Sequence, residues 1–116
     1  MKGVRPMKLI IAIVQDEDAS RLISNLMNEG YGVTKLATTG GFLRSGNTTL
    51  LVGVDDNRFD SCMAIIEKVC KSRKQIATSP VNMGGGTAGM YSPYPIEVTV
   101  GGATVFVVTV DQFVKF

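Results

Sequence analysis

The chain has 116 residues, enough for one domain with one core, and its 45% hydrophobic and 19% charged content excludes an intrinsically disordered segment. A formal net charge of +2 is too small for an electrostatic hold on nucleic acid, and the only local group of cations, Lys68, Lys71, Arg73 and Lys74, reads as a solvated helix end. With no histidine, no CxxC and an apolar run (Leu9–Val14) too short to span a bilayer, neither a zinc site nor membrane insertion is expected.

In chain order, residues 1–6 read as an N-terminal extension or cloning remnant, because regular patterning begins at Met7 and continues as a single domain over residues 7–116. KLIIAIV (Lys8–Val14) is a continuous apolar run of strand length. Asp16 and Asp18 then offer carboxylates for a helix start, and Ala19, Leu22, Ile23, Leu26 and Met27 recur at helical spacing up to a stop at Gly30. Val33–Thr38 and Thr48–Val54 are strands that follow one another without a helix and so pair antiparallel. Asp55-Asp56 opens a second helix with a stripe at Phe59, Cys62, Met63, Ile66, Val69 and Cys70. Cys62 and Cys70 lie eight residues apart on it, about 12 Å along the axis, too far to pair, so they read as reduced core residues of a cytoplasmic protein.

Arg73–Tyr94 shows neither period and holds Gly84-Gly85-Gly86 between prolines, which predicts a long functional loop. Ile96–Val100 alternates cleanly, and Gly101-Gly102 predicts a two-residue hairpin turn into a return strand, Ala103–Val110. The order matches an α+β, ferredoxin-like βαββαβ fold with an extra C-terminal strand and a long loop before the last hairpin. Two helices cover one sheet face only. The apolar residues on the other face predict a homo-oligomer with its sheets turned inward.

The chemistry concentrates between the two middle strands. Gly41–Thr48 spells nearly a G-x-x-x-x-G-K-[ST] phosphate loop, but Asn47 stands where the lysine belongs and the segment runs into a strand, not a helix. Its glycines still suit a nest of backbone N–H groups, with Arg44 adding a charge-assisted bond. Phe42 offers a ring for stacking on a planar ligand, and Asn47 has the donors and acceptor needed to read a base edge. Thr34 and Lys35 stand at the root of the same hairpin, so the set suits a nucleotide. Catalysis finds little support: a serine or cysteine nucleophile has no histidine to activate it. An acylphosphatase-like activity would need a phosphate cradle just after the first strand, where Gln15-Asp16-Glu17-Asp18 would repel phosphate.

Three segments carry a family resemblance: MKLIIAIVQDED (Met7–Asp18), VTKLATTGGFLRSGNTTLLVGVDD (Val33–Asp56) and YPIEVTVGGATVFVVTVDQF (Tyr94–Phe113). They resemble the PII-like cyclic di-AMP receptor proteins, the PstA/DarA family, over essentially the whole chain after Met7. The resemblance implies a non-enzymatic homotrimer, with no cofactor, that binds the second messenger cyclic di-AMP in clefts between subunits and acts on a downstream protein. It makes the hairpin a T-loop (about residues 39–47) and the glycine-rich stretch a B-loop (about residues 73–94). It implies that Thr34, within Gly32–Lys35 (with Val33 and Lys35), meets phosphate. Gly41, Phe42 and Leu43 would line the adenine pocket beside Arg44, Asn47 would bond the base, and Gly53 and Phe106 would complete the wall. One departure stands out. Family members commonly carry an arginine just before the matching Val-Thr-Lys, and this chain has Gly32, with Lys115 as a replacement cation near the C-terminus. That predicts weaker affinity or an altered nucleotide preference, the alternative being a PII-like regulator or scaffold of changed specificity.

Overall fold

The computed structural model describes residues 6–36, 46–79 and 94–116. Along the chain run β1 (Met7–Gln15), α1 (Asp16–Asn28), β2 (Gly32–Lys35), β3 (Asn47–Asp55), α2 (Asp56–Cys70), β4 (Arg73–Ser79), β5 (Tyr94–Val100) and β6 (Ala103–Val110). The strand order β2-β3-β1-β6 forms one sheet, and β4 and β5 form a second, two-stranded one. Because β3 is antiparallel to β1, β2 and β1 are parallel with one strand between them. The same holds for β3 and β6 across β1. These are two interleaved split βαβ units, the ferredoxin-like arrangement expected from the sequence.

The core forms where the alternation of β1 and β3 meets the helical stripes. Ile10, Ala12, Val14, Leu50, Val52 and Val54 are buried on the helix side, against Ala19, Leu22 and Leu26 of α1 and Cys62, Ile66, Val69 and Cys70 of α2. Leu22, Leu26 and Leu50 are fully buried, so truncating any one to alanine costs roughly 2–5 kcal/mol. Met27 departs from the expected stripe and is 60% exposed. The α1 stop is a Schellman motif: Gly30 (φ +88°) turns the chain, its N–H donates to Met27 O at 3.0 Å, and Tyr31 N–H donates to Leu26 O at 3.0 Å.

Two expectations for the second half are corrected. Gly101-Gly102 does not fold β5 back onto β6: β5 pairs with β4, and β6 pairs with β1. Both glycines have positive φ (+79° and +95°), as a hairpin turn would require, but here they make a corner between two sheets. Residues 73–79, expected as part of a loop, form β4. Its residues 73–76 are all exposed, so no buried face imposes the alternation by which strands are recognised.

Candidate ligand-binding site

The sheet face away from the helices carries residues at the opposite parity of each strand. Its central cross-strand row is Thr34–Leu51–Ile11–Phe106, and the row beside it is Gly32–Gly53–Leu9–Val108. Leu9, Ile11 and Leu51 are half-buried, whereas Phe106 is 54% and Val108 46% exposed. These two rows make a broad apolar floor, with the Thr34 hydroxyl at its β2 end. The glycine pair leaves a strip without side chains beside it. A Cβ on Gly32 would meet nothing within 4 Å, and one on Gly53 only the Met7 methyl at 3.8 Å.

Asn47 lies opposite Gln15 at the end of β3, on this same face by register. The expected site residues Thr34, Gly32, Gly53, Asn47 and Phe106 are thus placed on one surface. Val33 and Lys35 are not: they pair with Val52 and Leu50, whose side chains are buried on the helix side. Gly41, Phe42, Leu43 and Arg44 lie outside the described residues, and Lys115 is exposed in the segment after β6.

The hairpin root is tied to the start of α1. Gly46 has φ +96°, and its carbonyl accepts the Asp16 N–H at 2.8 Å. Thr48 donates its hydroxyl to Asp16 Oδ1 at 2.5 Å. Asp16 therefore does more than complement the helix dipole, as it holds both sides of the strand entry. Asp18, expected as a helix-start carboxylate, lies in the first turn of α1 but is 1% exposed. It accepts from Arg73 Nη2 at 3.0 Å and from Arg21 Nη2 at 3.4 Å. Arg73 is accordingly no mere solvated cation of a helix end. Its hydrogen bond to Asp18 raises the guanidinium pKa further above its usual value.

Thr49 was not anticipated. It sits on the open face between Asn47 and Leu51, is 6% exposed, and its hydroxyl has no hydrogen-bond partner among the described residues. Leaving a buried hydroxyl unpaired costs about 1–3 kcal/mol, which marks a position where a polar group is kept for a reason other than stability. No sequence pattern distinguishes it from Thr48, whose hydroxyl is satisfied. Among the described residues no three His, Cys, Asp or Glu side chains are grouped to hold a metal ion. No helix there is long and apolar enough to cross a membrane.

A family model described as cyclic-di-AMP receptor matches residues 7–116. The chain belongs to the cyclic-di-AMP receptor family. A structural relative is a functionally unknown protein from Pediococcus pentosaceus ATCC 25745, 42% identical with a TM-score of 0.76 over 97% of this chain and 100% of that one. A DUF3240 family protein from Shewanella baltica OS155 is 12% identical with a TM-score of 0.53 over 95% of this chain and 96% of that one, a likeness of fold alone. In this member of the receptor family, Thr34, Asn47, Gly53 and Phe106 lie on one open sheet face, spread along it and not gathered at a point.

Proposed function

We propose that this chain is a non-enzymatic receptor that binds cyclic di-AMP in clefts between the subunits of a cytoplasmic homotrimer, and that ligand reorders its loops to control a partner protein. Membership of the cyclic-di-AMP receptor family over residues 7–116 carries this reading. The uncovered apolar face and the edge strand β6 support the assembly, because Phe106, Val107 and Val108 are too exposed for a stable monomer surface of this size. A cleft beside that face would put a planar base near the Gly32–Gly53 strip and Thr34, whereas Asn47, six residues from Gly53 along β3 and so about 20 Å away, would meet a different part of the ligand. Arg44 and the Gly41–Leu43 backbone are proposed to complete the phosphate and base contacts from the hairpin.

A second reading is favoured by Gly32 alone: a PII-like regulator whose nucleotide affinity is weak or directed elsewhere. Titration calorimetry with cyclic di-AMP, cyclic di-GMP and ATP separates the two. Heat with cyclic di-AMP only, at one site per subunit, is the expected result. No heat with cyclic di-AMP at micromolar protein would refute the receptor reading. Light scattering should return a trimer mass, and a monomer would refute the cleft.

A further inference from the structure

The junction of β1 and α1 grips the root of the Gly46–Thr48 hairpin and both ends of the β4–β5 arm. On one side, Asp16 takes the hairpin through its N–H to Gly46 O (2.8 Å) and its carboxylate from Thr48 (2.5 Å). On the other, the Gln15 side-chain carbonyl accepts the Gly101 N–H at 2.7 Å, where the chain leaves β5. Asp18 holds Arg73, the first residue of β4, through both carboxylate oxygens at 3.0 and 3.5 Å. Arg73 also donates to Lys71 O at 3.1 Å, closing the link between α2 and the arm.

Apart from the Gly102 N–H, which donates to Cys70 O at the same corner, the arm has little else to fix it. Among the described residues the backbones of β4 and β5 lie beside each other and beside no other strand or helix. An isolated two-stranded sheet is marginally stable in water, so its position is decided at its root. Asp18 is buried, and removing Arg73 would leave its charge with only the longer Arg21 contact at 3.4 Å, which makes the Arg73 contact stiff and not incidental. A displacement at the hairpin root moves Asp16, and Asp18 lies on the same turn of helix two residues on.

We infer that Asp18 and Arg73 are positioning residues that couple the cyclic di-AMP face to the β4–β5 arm through the first turn of α1. The inference rests on the receptor reading above. Neither residue lies on the ligand face. Arg73 sits far enough out, with 40% of its side chain exposed, that it can be replaced without opening the core.

The test is hydrogen–deuterium exchange of the full chain with and without cyclic di-AMP, in wild type, Arg73→Gln, Arg73→Lys and Asp18→Asn. In wild type, ligand should slow exchange in β2–β3 and in β4–β5 alike, by about tenfold, the factor that 1.4 kcal/mol of differential stability produces. In Arg73→Gln, calorimetric binding and β2–β3 protection should persist while ligand protection of β4–β5 is lost. Arg73→Lys, which keeps the charge beside Asp18, should recover part of it. Asp18→Asn should behave like Arg73→Gln if it folds, and Arg73→Gln carries the test if it does not. Unchanged β4–β5 protection in Arg73→Gln would overturn the coupling while leaving the receptor reading intact. Absence of any cyclic di-AMP binding to wild type would overturn both.

Discussion

Thr48 donates its hydroxyl proton to Asp16 Oδ1 across 2.5 Å, joining the first residues of β3 to the first residue of α1. Thr48 is buried on the helix side and Asp16 is exposed, so loss of the bond lets water rehydrate the carboxylate. Thr48→Val keeps the side-chain shape and removes only the donor. The expected cost is about 1.5 kcal/mol, at the low end for a bond to a charged group, or roughly 5 °C in Tm at fixed protein concentration. Asp16→Ala should destabilise by a similar amount, and the double variant by less than the sum of the two. Strict additivity in thermal unfolding would show that the bond contributes nothing.

Gly32 has an ordinary backbone conformation and open space where a Cβ would stand, so its glycine identity is not imposed by the fold. Gly32→Arg should fold as wild type and place a cation at the end of the ligand face, one cross-strand pair from Thr34. A charge-assisted bond to phosphate contributes about 1.5–3 kcal/mol, so cyclic di-AMP affinity should rise roughly 10–100-fold. Calorimetry decides it. An unchanged Kd would mean that phosphate does not lie at this end of the strip.

Thr49→Val separates a structural from a ligand role for the orphaned hydroxyl. Replacing an unpaired buried polar group with an apolar isostere should leave apo stability unchanged or raise it by about 1 kcal/mol. If the hydroxyl meets ligand in the assembled protein, the same variant should lose roughly 5–10-fold in cyclic di-AMP affinity. Higher Tm with unaltered affinity would assign Thr49 to packing against Ile13, its cross-strand neighbour.

The four-stranded sheet was legible because its central strands are apolar runs of strand length, Leu9–Val14 and Leu50–Val54, each followed by helix-start carboxylates. The helices were legible through the spacing of Leu22 and Leu26 or Cys62 and Ile66. Of the arm, β5 was legible through the alternation of Ile96, Val98 and Val100, but β4 and the pairing were not, since residues 73–76 are exposed on both sides, and two glycines with positive φ serve a corner as readily as a hairpin. At the site, parity of register placed Thr34, Asn47, Gly53 and Phe106 together, whereas Val33 and Lys35 fell to the other side by the same rule. The Asp18–Arg73 pair joins residues far apart in sequence, and local pattern, which sees only neighbours at three and four, left it among helix-end charges.

The cysteines give a pH dependence with a definite sign. Burial pushes both Cys62 and Cys70 from 9.0 up to about 11, opposed at Cys62 by Arg58 and reinforced at Cys70 by the Asp18 charge. The folded state thus holds the thiol protons more tightly than the unfolded state does. Their contribution to stability is fully present below about pH 9 and is lost as pH rises through about 11. Urea midpoints measured at about pH 8.5 and 10.5 should fall more steeply for wild type than for a Cys62→Ala, Cys70→Ala double variant, whatever the absolute stability of the latter. Both thiols should also resist disulfide reagents in native protein at pH 8 and react once it is unfolded.

Gly101 and Gly102 share positive φ but differ in surroundings, which allows strain and crowding to be told apart. A Cβ on Gly102 would meet only the Ser72 Cβ at 3.9 Å, so Gly102→Ala carries the left-handed backbone penalty alone, roughly 1–2 kcal/mol. A Cβ on Gly101 would collide with the Arg73 guanidinium and stand 2.8 Å from Lys71 O and 3.2 Å from Cys70 O. The guanidinium can swing away, but only by leaving Asp18, and the two carbonyls belong to the end of α2 and cannot. Gly101→Ala should therefore lower Tm more than Gly102→Ala and, unlike it, speed exchange in the Arg73–Ser79 segment. Equal effects of the two substitutions would mean that the corner tolerates the added methyl and that Arg73 does not depend on the bare backbone of Gly101 for its place.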